Sequence, residues 1–176
     1  MNLQLVKMEP QYRSLAEDMI REWKTSGEAI VPWAIDRADI RDFSAYMDSL
    51  EQTGTADGLV PESTFFCLDT DRNLMVGAIN IRHYLNDNLL KHGGHIGDGV
   101  RPSERQKGIA TRMIALGLEE CKKLGLKRVL MTCRKDNIGS AKSIINNGGI
   151  LENEIKQDDG VEIGRASCRE RVSSPV

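Results

Sequence analysis

The stretch Val100-Arg101-Pro102-Ser103-Glu104-Arg105-Gln106-Lys107-Gly108-Ile109-Ala110-Thr111 decides how the chain is read. It leads from a short apolar strand through a basic, glycine-containing turn into an amphipathic helix. The first N–H groups of a helix have no intrahelical acceptor and lie at the positive end of the macrodipole, so such a turn suits a pyrophosphate. Arg101, Arg105 and Lys107 add positive charge around those groups.

The helix after the turn is specified by Ala110, Met113, Ile114, Gly117, Leu118, Cys121 and Leu124, which follow the i, i+3, i+4, i+7 rhythm of one buried face. Gly125 supplies a stop, and Lys122 and Lys123 lie in the last turn, where they favour the negative helix end. Two other phosphate loops do not match. A nucleoside-triphosphate loop needs Gly-Lys-Ser/Thr, whereas Lys107 precedes Gly108, and a dinucleotide fingerprint opening at Gly97-x-Gly99 meets Pro102 at its sixth position.

What remains, Arg105-x-x-Gly108-x-Ala110 after a strand ending at Val100, resembles the pyrophosphate-binding segment of the GNAT N-acetyltransferase superfamily. The family pattern is Arg/Gln-x-x-Gly-x-Gly/Ala between its fourth strand and third helix. Downstream, a buried strand over Arg128 to Cys133 is followed by Lys135-Asp136-Asn137-Ile138-Gly139-Ser140 opening another helix, which Gly148-Gly149 closes, and this repeats the family's order.

Elsewhere the chain reads as a strand from Leu3 to Val6, a helix carrying Leu15, Met19 and Trp23, and a second helix beginning near Asp36 with the face Ile40, Phe43, Met47 and Leu50. A hairpin joins Phe65–Leu68 to Leu74–Arg82 through a polar turn, and a longer connection, 86–94, leads to a strand from His95 to Val100. The predicted fold is a mixed, mostly antiparallel α/β sheet with helices on both faces, as in GNAT proteins, with residues 1–161 as the N-acetyltransferase domain.

Residues 162–176 read differently. Glu162 to Val172 shows no apolar periodicity and resembles, residue for residue, the in-frame translation of a short-read sequencing adapter. The expectation is a non-native or disordered tail and a missing last strand, which would leave a sheet edge open, lower stability or favour a homodimer.

Composition sets the outer bounds. The chain of 176 residues is 40% hydrophobic and 28% charged, which suits one domain. A net charge of −2 without a long basic run gives no reason to expect nucleic acid or an anionic membrane as partner. No apolar run has the length of a membrane span and no secretory leader is visible, so a cytoplasmic protein is expected. Cys67, Cys121, Cys133 and Cys168 show no paired spacing, and His92-x-x-His95 is interrupted by Gly93-Gly94, so neither disulfides nor a metal are expected.

The GNAT resemblance implies an enzyme that moves the acetyl group of acetyl-coenzyme A to a primary amine, on a small molecule or peptide, by direct attack in a ternary complex. It places the cofactor-binding segment on Val100, Arg101, Arg105, Gln106, Lys107, Gly108, Ile109, Ala110 and Thr111, with Asn137 on the pantetheine arm and Ser140 as a further contact. A backbone N–H at a bulge in the fourth strand would polarise the thioester, and Gly97-Asp98-Gly99-Val100 is the candidate bulge. His95 falls where many members place a glutamate and is the leading catalytic base, with Asp98 and Glu62 as weaker alternatives and a hydrogen-bonded strand histidine as the competing reading. The tyrosine many members use as general acid is replaced here by Ile144. That departure keeps a second reading open: a non-catalytic acyl-coenzyme A sensor of the same fold. Glu28, Trp33, Arg82, His83 and Asn86 are candidates for recognising the amine, each with an ordinary surface or packing role in competition.

Overall fold

The computed structural model describes residues 1–54, 58–156 and 160–169. In chain order the elements are β1 (Leu3–Val6), α1 (Arg13–Thr25), α2 (Phe43–Ser49), β2 (Glu51–Gln52), β3 (Glu62–Asp69), β4 (Leu74–Arg82), β5 (Ile96–Val100), α3 (Ile109–Lys123), β6 (Arg128–Arg134), α4 (Ile138–Asn146), β7 (Ile150–Lys156) and β8 (Glu162–Arg169). They form two antiparallel sheets. One runs β1-β3-β4-β5 with β2 added to β3, and the other runs β6-β8-β7.

The central strands of the first sheet, β3 and β4, are buried on both faces, because helices cover each side. Val76, Ile79, Ile81, Ile96 and Val100 pack with Ile109, Met113, Ile114 and Cys121 of α3. On the other face Phe66, Leu68, Met75 and Ala78 pack with Ala16, Met19, Ile20 and Trp23 of α1 and Tyr46 of α2. Both β3 and β4 therefore supply apolar residues to two cores, as a doubly covered strand must. The α3 axis approaches the sheet closely at Gly117, where a Cβ would fall 2.3 Å from Ile79 Cδ1.

The sheets meet where β5 begins beside β6. His95 N–H donates to the Leu130 carbonyl at 2.8 Å, and Leu130 N–H donates to His95 Nδ1 at 3.0 Å. Gly94 makes the approach possible: its φ is +66°, and a Cβ there would lie 2.5 Å from the Leu130 carbonyl oxygen. The α3 loop rises from the far end of β5, after Val100, and α4 follows β6.

Three expectations change. The second helix does not start near Asp36: Trp33–Asp36 forms a short 3₁₀ turn, and α2 begins after Asp42, whose carboxylate accepts from Ala45 N–H at 3.3 Å. The better-placed cap won over the earlier acidic residue. The bulge expected over Gly97–Val100 is absent: these residues pair in unbroken register with Asn80, Ile79, Ala78 and Gly77, and the irregularity lies across Cys67/Leu68 in β3. Last, residues 162–169 are not detached from the domain. They form β8, inserted between β6 and β7, so the last strand is present. Backbone pairing on both sides holds it, with Ile163, Ala166, Ser167 and Cys168 buried. Residues 170–176 of the expected tail lie outside the described residues.

Candidate active site

A cleft of about 690 Å³ opens between the two sheets. It is walled by Val100, Arg105, Gln106, Gly108, Ile109 and Ala110 on one side and by Asp136–Ser140 and Ser143 on the other. Trp23 approaches from α1 and Glu28, Ala29 and Val31 from the α1–α2 connection, and Asp98, Gly99 and Glu104 complete the lining.

The turn before α3 is bent twice into left-handed backbone, at Gln106 (φ +63°) and Gly108 (φ +77°). Gly108 sits at the α3 N-cap, where glycine accepts this conformation without a Cβ penalty. A Cβ on Gly108 would meet nothing within 4 Å, so its φ rather than crowding is what the fold asks of this position. The first N–H groups of α3 consequently face an open cleft mouth without intrahelical acceptors.

Ion pairs centred on two buried residues, Glu104 and Arg101, brace this wall from behind. Glu104 accepts from Arg72 through both oxygens, at 2.8 and 3.1 Å, and pairs with Lys107 at 3.1 Å. Arg72 above all, with Lys107, holds the Glu104 carboxyl below its usual range. Arg101 reaches α1, bonding Asp18 at 2.7 Å and Glu22 at 2.5 Å, and Glu22 also accepts from Ser103 N–H at 2.9 Å.

These contacts revise the expected site. Val100, Arg105, Gln106, Gly108, Ile109, Ala110, Asn137 and Ser140 come together on the cleft walls. Arg101 does not, because its side chain leaves the strand end on the α1 side and is buried between two carboxylates. Lys107 is turned to Glu104, and Thr111 Oγ1 bonds Ser143 Oγ at 3.1 Å between α3 and α4, so neither side chain belongs to the lining. Asn137 caps α4 by accepting from Ser140 N–H at 3.1 Å.

His95 is also outside the cleft lining. It is buried at the seam between the sheets, with Nδ1 accepting from Leu130, so Nε2 carries the proton of the neutral ring. Burial pushes its pKa down. Of the two carboxyls weighed as alternatives to His95, Asp98, on β5 between Gly97 and Gly99, does line the cleft, and burial pushes it up to about 6. Glu62 is paired with Arg37 beside α2 and is not part of the lining.

Backbone direction adds a further feature. Arg101 N–H bonds the Val76 carbonyl of β4, and alternate residues of a strand point their N–H groups to opposite sides. The N–H groups of Val100 and Asp98 therefore face the split rather than β4. The Trp23 indole N–H is buried without a hydrogen-bond partner. Among the described residues no group of His, Cys, Asp or Glu is arranged to hold a metal ion, and no helix is long and apolar enough to cross a membrane.

A split sheet, a basic turn capped by left-handed Gly108 and a second helix N-terminus facing it form the arrangement that the sequence comparison then identifies: the acetyltransferase (GNAT) domain profile matches residues 3–150. The chain belongs to the GNAT acetyltransferase family. Solved GNAT structures share its fold across nearly the whole chain at low identity. The microcin C7 self-immunity acetyltransferase MccE, in complex with acetyl-CoA and AMP, is 18% identical with a TM-score of 0.66, covering 96% of this chain and 92% of that one. Ribosomal-protein-S5-alanine acetyltransferase from Vibrio fischeri is 16% identical with a TM-score of 0.69, covering 99% and 97%. A spermidine N-acetyltransferase SpeG chimera from Vibrio cholerae and hSSAT is 14% identical with a TM-score of 0.64, covering 96% of each. No curated protein sequence matches the chain. As a GNAT acetyltransferase it shares its fold with proteins whose acceptors differ widely, so fold alone does not choose an acceptor.

Residues that sequence reasoning passed over as site components include Trp23, Val31, Glu104 and Asp136. Trp23 carried the signal of a core residue and Glu104 that of a loop charge, and nothing in their local sequence distinguishes those roles from a place on the cleft wall.

Proposed function

We propose that the protein is an acetyl-coenzyme A dependent N-acetyltransferase acting on a primary amine. The observation that carries this reading is the cleft itself: it joins the N-terminus of α3 and Arg105 at one end to the Asp98 carboxyl on β5. The N–H groups of Gly108 to Ala110, with Arg105, bind the donor's pyrophosphate.

With the thioester lodged in the split, the N–H groups of Asp98 and Val100 polarise its carbonyl oxygen. The amine nitrogen attacks the carbonyl carbon, Asp98 takes the proton the nitrogen loses, and the carbon–sulfur bond breaks. The products are an amide and coenzyme A, whose thiolate takes a proton from water. A carboxyl pushed up to about 6 is a better proton acceptor than an ordinary aspartate while still ionised at neutral pH. His95 acts in this reading as a positioning residue that fixes the width of the split.

One observation favours the second reading, a non-catalytic coenzyme A sensor: Ile144, where many members carry a tyrosine acid, is buried in the core. Calorimetric titration of coenzyme A and acetyl-coenzyme A, with an adenine nucleotide as control, tests the binding claim. Release of free thiol from acetyl-coenzyme A across an amine panel then separates the readings. Binding without turnover supports the sensor, and absence of binding overturns both.

A further inference from the structure

The turn between β3 and β4 lies outside the cleft lining, yet one of its side chains reaches the loop before α3. Arg72 stands in that turn, and its Nε donates to Asp69 at 2.6 Å. Asp69 ends β3 with its side chain fully buried, and its carboxylate also accepts from Asp71 N–H at 3.2 Å. Thr70 N–H donates to the Asn2 carbonyl at 2.9 Å, which ties the turn to the start of β1. With Nε held in this way, Arg72 presents Nη1 and Nη2 to Glu104 at 3.1 and 2.8 Å and takes both carboxylate oxygens.

Glu104 is buried and lines the cleft beside Arg105 and Gln106. A carboxylate on the wall of an anion site repels the anion unless a cation neutralises it. Two cations meet this one. Lys107 comes from the same loop at 3.1 Å and has 47% of its side chain exposed, so it is a single, solvated ammonium that holds its partner weakly. Arg72 binds through a two-pronged contact and is oriented from behind by a buried carboxylate, which makes it the fixed member of the set.

We propose that Arg72 is a positioning residue of the donor site: it acts through Glu104, neutralising the carboxylate that the cleft wall carries beside the pyrophosphate turn. The inference rests on the reading of the cleft as a coenzyme A site. It places a determinant of donor affinity on a turn that no donor atom touches.

The test compares wild type, Arg72→Gln and the double variant Arg72→Gln/Glu104→Gln. Coenzyme A is titrated calorimetrically into each, with pantetheine, which lacks the pyrophosphate, as control. Arg72→Gln should bind coenzyme A roughly tenfold more weakly, with pantetheine unchanged, and should raise KM for acetyl-coenzyme A with kcat little altered. The double variant should recover most of that affinity. Asp69 loses its arginine in both variants, so the difference between them reads the Glu104 charge alone. Glu104→Gln by itself, which leaves Arg72 on Asp69, should bind coenzyme A at least as tightly as wild type, and it decides the matter if Arg72→Gln fails to fold. Unchanged affinity in Arg72→Gln, an equal loss for pantetheine, a double variant as weak as the single one, or weaker binding by Glu104→Gln would overturn the proposal. Failure of wild type to bind coenzyme A would instead remove the donor reading, and this inference with it.

Discussion

The two walls of the cleft are built to different standards. The wall formed by β5, its loop and α3 stands on a sheet packed on both faces, and carboxylate–guanidinium contacts of the buried Arg101 and Glu104 brace it from behind. The wall formed by β6 and α4 is more lightly held. Ile138 and Ile145 of α4 and Ile150 and Leu151 of β7 are each more than half exposed, and the seam with β5 runs through His95, Leu130 and Gly94. The difference teaches that the face presenting the first N–H groups of α3 to the cleft is preorganised, while the facing side has freedom to adjust.

The largest effects should come from the braced wall. Gly108→Glu places a carboxylate at the pyrophosphate turn and should abolish coenzyme A binding by calorimetry. Its thermal unfolding should fall only by the strain of a left-handed non-glycine residue, about 1–2 kcal/mol. Unchanged binding would refute the turn assignment. Asp98→Asn should lower kcat by about a hundredfold or more while coenzyme A affinity is kept. In wild type the activity should rise with pH through about 6 as Asp98 ionises. Because its folded pKa lies above the unfolded 3.8, the same group makes the fold less stable as pH rises through that window.

Arg101→Ala tests the bracing directly. Fully buried ion pairs cost about 3–5 kcal/mol when one partner is removed, and the partial exposure of Asp18 and Glu22 should bring the loss to about 3 kcal/mol in urea unfolding. Coenzyme A binding by the folded protein should be altered far less than in Gly108→Glu.

The seam should respond more modestly. His95→Ala leaves the Leu130 N–H buried without its acceptor and should cost about 2 kcal/mol. If His95 were the base, kcat would collapse and the pH limb would move. In the positioning role the limb stays near 6. Burial lowers the histidine pKa below 6.5, so its contribution to stability is complete above 6.5 and is lost as pH falls below it. Smallest of all, Asn137→Ala removes the α4 cap and should cost about 1 kcal/mol, read as faster amide exchange confined to that helix.

What was legible in the chain follows the same division. The turn and α3 are contiguous, and their periodicity, glycine and charges all lie within one stretch, so sequence pattern reached them. Arg101 and Arg105 show where it stopped. They have the same chemistry four residues apart, yet one is turned to Asp18 and Glu22 and the other to the cleft, and only the packing of α1 decides this. The strand register likewise places Asp98 on the cleft and His95 at the seam. β8 escaped because its buried positions, Ile163, Ala166, Ser167 and Cys168, do not alternate, and backbone pairing with both neighbours supplies the order that periodicity did not reveal.

The buried indole of Trp23 gives the cleft an optical readout of its own. It lies on the wall beneath the Arg105 guanidinium, whereas Trp33, the other tryptophan, is largely exposed and stacks with Arg37. Replacing Trp33 with phenylalanine would leave a single tryptophan beside the Arg105 guanidinium, so that a ligand settling against that arginine would be visible as a change in tryptophan fluorescence without any label.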